Sequence, residues 1–457
     1  MSDNLAVTAC PHCDALHQDI ALQAGESATC GQCASELYRY SSLNLSAWLA
    51  LLLATLVFFI MGSFLPVAHI HMQGQEVSPS LFEAVYFIWD QGHYVLATMT
   101  GLVSIWLPLF YVLFRLWAVG VLLRGRLPQD FALVLRIINA LQHWSLVPVV
   151  FLGMVVSLVK FAGLARLELA AGLLAYVALM FLYTATLRLT AKRLWWFAAQ
   201  RQLVMDQVPY SVKDYIACTH CGLVQTPTLQ NDHSLEGNNE SEKRPGGVEP
   251  EPIHHCQCVR CHGGLYKRKV NMVSRTWALM LTAIVLYIPA NTLPMMLLRT
   301  PISASEHTIL GGVVELWESG SADLAIIVFV ASIVVPFTKF LALTILLLNY
   351  KRWKGRVIQR QRTKLYRMVE FIGQWSMLDV IVVVLMAAMA DFPGLSQIIA
   401  GPAAVNFGAV VVLTMLAALS FDPRCGWDAR ARVSSAHPSQ SFFPDPHASG
   451  GLAKLDA

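Results

Sequence analysis

Apolar and polar residues in this chain separate into long blocks. Eight apolar runs stand out, at about 45–67, 95–123, 136–160, 168–188, 277–298, 322–349, 368–391 and 396–420. A membrane-spanning helix needs about 20 apolar residues, and each run is long enough. The second and sixth exceed the bilayer requirement, which predicts tilt or extension into the cytosol. Two polar stretches, 229–252 and 429–457, are rich in Asn, Glu, Ser, Gly, Pro or His and predict disorder, because neither buries enough apolar surface to offset ordering. Within 68–93, the segment 69–77 is a candidate for short paired strands.

Composition agrees with the pattern. Of 457 residues, 56% are hydrophobic and only 14% charged, with a mean hydropathy of +0.52. Ordinary soluble domains carry about 25% charged residues. The position of the basic residues says more than their number. Residues 68–93 hold no Lys or Arg, and 299–321 hold only Arg299. By contrast, 350–367 holds Lys351, Arg352, Lys354, Arg356, Arg360, Arg362, Lys364 and Arg367. Arg124, Arg126 and Arg136 follow the second run, and Lys192, Arg193, Lys267, Arg268 and Lys269 lie in the central segment. The positive-inside rule then puts both termini and the centre in the cytoplasm. No basic stretch with a short apolar core precedes the first run, so no cleavable signal peptide is expected.

An internal repeat organises the chain. Cys30 and Cys33 recur as Cys258 and Cys261, at an offset of 228. The same offset carries Pro66 to Pro294, Trp89 to Trp317, Gly92 to Gly320, Ser104 to Ser332 and Pro108 to Pro336. Further on, an offset of 231 carries Trp144-Ser145 to Trp375-Ser376. The predicted fold is an α-helical polytopic membrane protein, a tandem parallel repeat of one zinc ribbon plus four transmembrane helices. Both halves enter and leave from the cytoplasm, so an axis along the membrane normal relates them. The expected divisions are a first ribbon at 1–43, a helical unit at 44–190, a linker and second ribbon at 191–271, a second unit at 272–421 and a tail at 422–457.

Eight of the ten cysteines fall into CxxC pairs. Cys10 and Cys13 precede Cys30 and Cys33 by a zinc-ribbon spacing, and Cys218 and Cys221 precede Cys258 and Cys261 after a longer gap. Two such knuckles converge four thiolates on one tetrahedral Zn²⁺, with no open position for catalysis. The competing reading is buried or redox-active cysteine pairs. His12 and His220 lie inside knuckles and are read as neighbours of the ligands. Cys256, which has no counterpart in the first ribbon, is read as solvent-facing, the alternatives being a competing ligand or a free thiol.

Ionisable residues inside spans are candidates for function. Lys339 lies roughly 16 Å from the cytosolic end of its run, at 1.5 Å per residue, and Asp379 at similar depth. They are candidates for an ion pair or a shared proton, with Ser332, Thr338, Ser376 and Thr414 in the same polar patch. The alternative is a pair that only locks two helices. The first half is expected to lack these charges, having Tyr111 and Pro148 in their places. Lys160 and Asp391 occupy equivalent positions with opposite charge and are candidates for pairing across the pseudo-twofold axis, or for snorkelling to headgroups.

The residues also carry a resemblance. Pro289-Ala290-Asn291 with Leu293-Pro294, Ala331-Ser332 with Pro336-Phe337-Thr338-Lys339, and Trp375-Ser376-Met377-Leu378-Asp379 form one part of it. Gly401-Pro402-Ala403-Ala404, Phe407-Gly408-Ala409 and Phe421-Asp422-Pro423-Arg424 with Trp427-Asp428 form the rest. With both ribbons, this pattern resembles the paraquat-inducible protein A family of bacterial inner-membrane proteins. The resemblance implies a periplasmic MCE-domain partner that forms a tunnel, and a role in moving phospholipids or other hydrophobic molecules between membranes. Membrane lipids are then the cargo, and no nucleic acid partner is expected. No GxxxxGK[ST] motif is present, which leaves protonation near Lys339 and Asp379 as a candidate energy source. A membrane scaffold or zinc-dependent sensor is the second reading. No nucleophile–base arrangement suggests an enzyme.

Overall fold

The computed structural model describes residues 7–72, 74–162, 166–204, 215–226, 257–299, 304–318, 320, 322–348, 355–392 and 397–427. The stretches 229–252 and 429–457, and Cys256, lie outside the described residues.

The first half opens with two hairpins. They are β1 (Val7–Ala9) with β2 (Leu16–Gln18), and β3 (Ser27–Thr29) with β4 (Glu36–Arg39). Helix α1 (Leu45–Phe64) leads to strands β5 (Ala68–Met72) and β6 (Gln75–Val77). Then come α2 (Leu81–Asp90) and α3 (Tyr94–Gly101), which continues through a π-turn at Leu102–Trp106 into α4 (Leu107–Leu123). Helices α5 (Phe131–Leu141) and α6 (Val147–Ala162), strand β7 (Arg166–Leu169) and helices α7 (Ala171–Thr186) and α8 (Ala191–Gln200) complete it.

The second half follows the same order. Strands β8 (Ile216–Ala217) and β9 (Val224–Gln225) belong to its ribbon, and α9 (Met272–Thr292) leads to β10 (Met296–Arg299) and β11 (Ala304–His307). Helices α10 (Ile309–Glu318) and α11 (Ala322–Phe329) run through a π-turn at Val330–Val334 into α12 (Val335–Leu348). Helices α13 (Arg356–Trp375) and α14 (Leu378–Met389), strand β12 (Gln397–Ala400) and α15 (Pro402–Ser420) end it.

The repeat therefore extends to small features. Each half has a three-stranded antiparallel sheet, ordered β6-β5-β7 and β11-β10-β12, at the end of the helices away from the ribbons. The strands expected within 69–77 are present as the β5–β6 pair. The closing helix of each half comes close against the end of its opening helix. A Cβ on Gly172 or on Gly401 would strike the carbonyl oxygen of Pro66 or of Pro294. The π-turns sit one repeat apart, each just before a proline, Pro108 or Pro336. Proline supplies no N–H to the carbonyl four residues back, so Ser104 and Ser332 lose an intrahelical partner. In the second half the Tyr287 hydroxyl donates to the Ser332 carbonyl at 3.4 Å.

The spans differ from the sequence pattern at defined places. Five described helices are long and apolar enough to cross a membrane, and a sixth if α7 and α8, bent by 57°, form one span. The runs at 136–160 and 368–391 are each broken, between α5 and α6 and between α13 and α14. The breaks fall on Trp144-Ser145 and Trp375-Ser376, the dipeptides that mark the repeat. Hydropathy sums over such a break and cannot detect it.

The halves meet through equivalent helices. Helix α14, buried along Val380–Ala390, packs against α6 and α2 of the first half. Gly153 permits this approach, since a Cβ there would lie 2.8 Å from Ile381 Cγ2.

Candidate functional site

Two kinds of site emerge. The first is the pair of cysteine clusters. Cys10, Cys13, Cys30 and Cys33 bring their sulfurs within 4.8 Å of one another, and so do Cys218, Cys221, Cys258 and Cys261. All eight are buried. Sγ pairs at 3.5 Å link Cys10 to Cys33, Cys13 to Cys30, Cys218 to Cys261 and Cys221 to Cys258.

One backbone device, used four times, makes this geometry. After the second cysteine of each knuckle the chain turns left-handed, at Asp14 (φ 65°), Ala34 (φ 60°), Gly222 (φ 78°) and His262 (φ 51°). The turn lets that residue's N–H donate to the carbonyl of the first cysteine, at 2.8–2.9 Å in every case. A second bond runs from the first cysteine's N–H to Ala15, Ser35, Leu223 or Gly263. Three of the four positions carry a side chain where glycine is usual, which marks a conformation the surrounding bonds enforce.

Packed this closely, the sulfurs compete for charge. Hydrogen bonds from Cys10 and Cys13 hold the Cys33 thiol down at about 3, while bonds to Cys10 and Cys33 drive the Cys13 thiol far above its ordinary range. A cation at the centre removes that competition, so the donor set fits a metal ion with tetrahedral thiolate preference. His12 and His220 are half-buried, and burial lowers the pKa of each. Neither is among the converging ligand atoms. His17, which sequence reasoning did not single out, places Nε2 3.2 Å from Cys30 Sγ. Lys192, which the sequence marks only as one basic residue among several, lies beside ribbon 2, its methylenes 3.3 Å from where a Cβ on Gly222 would stand. Its side chain is exposed, and Cys10, Cys221 and Cys218 all act on its ammonium.

Each ribbon docks on the other half. Ribbon 1 packs its cysteines against Trp427, beyond α15. Its Asp14 accepts from Arg268 at 2.7 Å, lies 3.8 Å from Arg424, and receives the Tyr215 hydroxyl on its carbonyl at 2.7 Å. Ribbon 2 lies against α5 and α8: Arg260 stands over the Trp195 ring at 5.9 Å, and a Cβ on Gly222 or Gly263 would reach Lys192 or Arg136.

The second kind of site lies among the helices. Lys339, on α12, is 2% exposed, and its Nζ donates to the Gly373 carbonyl at 3.1 Å. Gly373 is in the last turn of α13, where carbonyls lack helical partners and the dipole is negative. Lys339 therefore caps the helix at its break. Ser376 lies in the break, buried, with no partner for Oγ among the described residues. Asp379 is in the first turn of α14, where a carboxylate suits the positive end of the dipole. Its side chain, like that of Lys160 on α6, lies outside the described residues. The pairs Lys339–Asp379 and Lys160–Asp391 thus stay as sequence expectations. The described partner of Asp391 is Gln397, whose Nε2 donates to Oδ1 at 3.2 Å.

The remaining polar candidates turn inward on their own helices. Ser332 donates to Val328, Thr338 to Val334 and Thr414 to Val411, at 2.7–2.9 Å. The first half has Tyr111 and Pro148 at those two places, yet it buries a charge of its own. Arg115, one turn beyond Tyr111, is fully buried. Its Cζ stands 4.0 Å from the Tyr111 ring centroid, and Nη1 donates to the carbonyl of Thr186, the last residue of α7. The residue was visible in the sequence, but the second half has Leu343 there, so the repeat did not draw attention to it. The buried Tyr183 hydroxyl donates to Ser145.

Two four-cysteine ribbons on a duplicated, multi-pass helical scaffold define the class: a membrane protein made of two ribbon-and-helix repeats. The chain belongs to the paraquat-inducible protein A family, whose sequence profile matches residues 45–200 and 273–431. Those stretches are the two helical units. Among curated relatives, lipophilic envelope-spanning tunnel protein A of Escherichia coli K12 is 31% identical over 92% of this chain and 91% of its own length. Intermembrane transport protein PqiA of the same strain is 28% identical over 92% and 95%. A probable intermembrane transport protein of Haemophilus influenzae is 26% identical, again over 92% and 95%. No solved structure matches.

Proposed function

We propose that this chain is the inner-membrane component of an intermembrane lipid transport pathway, passing phospholipid or another hydrophobic molecule to or from a periplasmic MCE-domain tunnel. The supporting observation is end-to-end similarity to relatives named as intermembrane transport proteins. In this reading the ribbons lie in the cytoplasm, each holding one structural zinc, and the sheets face the periplasm. The broken helices at 136–160 and 368–391 count as crossings, giving eight.

The chemistry is assigned to the break between α13 and α14. Half-helices end there with opposed dipoles, as in transporters whose sites sit at interrupted helices. Lys339 and Asp379 flank that break, and Ser332, Ser376 and Thr414 complete the polar patch. A proton exchanged between Lys339 and Asp379 would couple a gradient to lipid movement.

The test is lipid transfer between vesicles containing the purified chain and its tunnel partner, with and without a proton gradient. Lys339→Ala and Asp379→Ala should each abolish gradient-driven transfer while metal content stays at wild type. Full transfer by folded variants would remove the assignment. Were the chain instead a scaffold, loss of Cys10 or Cys218 would abolish function and changes in the spans would be tolerated.

A further inference from the structure

We propose that the exposed face of α13 is a docking stripe for anionic phospholipid headgroups at the ribbon end of the membrane. The helix has two distinct faces. At 3.6 residues per turn, Gln359, Arg362, Thr363, Tyr366 and Val369 fall on one face, and all are buried. Arg360, Lys364 and Arg367 fall together on the opposite face, and all are exposed. Among the described residues no carboxylate pairs with any of these three. Glu370, the acidic residue of α13, turns off the stripe to His143 at 3.3 Å.

The cations share their face with large apolar side chains. Val357 is 71% exposed, Met368 42% and Phe371 64%. That mixture suits neither water nor hydrocarbon. Water disfavours the apolar groups, and hydrocarbon disfavours three charges. The headgroup layer accepts both, with phosphates for the cations and acyl boundary for Phe371 and Met368. Phe371 also continues the stripe toward the lipid-facing surface of the spans.

Topology alone does not require this stripe. The first half orients itself with Arg124, Arg126 and Arg136 and has no matching helical stripe. At the 231 offset, Arg360, Lys364 and Phe371 correspond to Gln129, Leu133 and Ala140, and only Arg367 keeps a basic counterpart, Arg136. Arg136 lies against ribbon 2 beside Gly263, and Arg367 stands close enough to ribbon 1 to act on His12, so Arg360 and Lys364 set the second half apart. The stripe is thus a property of the second half, beside its broken helix. The inference does not depend on transport.

The experiment uses the full chain in nanodiscs of phosphatidylcholine, with and without phosphatidylglycerol, and reads the lipid retained after gentle extraction by mass spectrometry. Wild type should retain phosphatidylglycerol over phosphatidylcholine, roughly fivefold per engaged cation, and the preference should fall as salt rises. R360Q/K364Q/R367Q should lose it with two metal ions still bound. K364Q alone should lose part of it, which covers the case of a misfolded triple variant. A matched removal of charge in the first half, R124Q/R126Q, should keep it. The proposal is overturned if the α13 variants retain wild-type preference, or if R124Q/R126Q loses as much.

Discussion

Where the first half places Tyr111, Ser145 and Tyr183, the second places Lys339, Ser376 and Thr414. The backbone around them is the same, down to the π-turns and the break after Trp144 and Trp375. In the first half two aromatic rings fill the space, their centroids 5.9 Å apart, and the Tyr183 hydroxyl satisfies Ser145. In the second half a threonine stands where Tyr183 does, it bonds its own helix, and Ser376 is left without a partner. Even proline fits this contrast. Pro148 and Asp379 both occupy the first turn after the break, where proline meets no missing partner and a carboxylate meets the dipole. Both halves keep buried polar atoms without a described partner, the Tyr111 hydroxyl and two Arg115 nitrogens in the first and the Ser376 hydroxyl in the second. The difference is what fills the space, paired aromatic rings in the first half and a buried lysine in the second. A buried group left unsatisfied calls for an explanation, and a functional role is one.

The largest expected effect tests whether the halves are stapled crosswise by their ribbons. Cys10→Ser with Cys13→Ser should lower metal content from two ions to one, as should Cys218→Ser with Cys221→Ser. Structural zinc binding is worth roughly 10–16 kcal/mol in small ribbons, so the affected ribbon should unfold. The damage should cross over. Loss of ribbon 1 should raise hydrogen exchange around Trp427 and α13, and loss of ribbon 2 around α8 and Trp195. Exchange that rises only in the helices following the damaged ribbon in sequence, α1–α8 for ribbon 1 and α9–α15 for ribbon 2, would break the crossed arrangement.

A smaller effect separates packing from function. Tyr183→Phe unpairs Ser145 and should cost about 1 kcal/mol of stability. Ser376→Ala removes a hydroxyl that has no partner, so its stability should stay within about 0.5 kcal/mol of wild type. If the second half carries the chemistry, lipid transfer should nonetheless fall in Ser376→Ala and survive in Tyr183→Phe. Thermal unfolding read beside transfer decides this, and equal behaviour of the two variants would erase the distinction between the halves.

Lys192 offers an intermediate test. A thiolate shell around a divalent ion carries net negative charge, and sulfurs of both shells act on the Lys192 ammonium. Lys192→Met should speed metal loss to a chelator from both ribbons by about twofold to threefold, since solvent screens an exposed charge. Loss from one ribbon alone would show that the lysine serves only its nearer cluster.

Much of this was legible in the sequence, for physical reasons. Cysteine pairs at ribbon spacing have few other uses, and the offset between Cys30 and Cys258 carries through to the sheets and π-turns. The breaks were hidden because an apolar run stays apolar across a kink. Lys192, His17 and the crossed docking were hidden because they arise from tertiary contact. Arg115 was in plain view, yet a search keyed to the repeat passes over a residue present in one half only. The side chains of Lys160 and Asp379 lie outside the described residues, so their pairing belongs to the functional proposal.

The smallest expected effect is a pH dependence shared by the two ribbons. Burial lowers the pKa of both His12 and His220 below the usual 6.5. A histidine kept neutral in the fold protonates first in the unfolded chain. Its contribution to stability is therefore full above about pH 6.5 and is lost as pH falls toward the folded value. Neighbours act on each in both directions: Glu370 raises and Arg367 lowers His12, while Arg136 lowers and Cys258 raises His220. Both ribbons should lose protection as pH falls below about 6.5. Hydrogen exchange of the two ribbons between pH 7 and pH 5, with metal content followed in parallel, reads this directly. His220→Gln should flatten the slope for ribbon 2 and leave ribbon 1 unchanged. A slope that persists in that variant would assign the acid sensitivity to thiolate protonation and metal release instead.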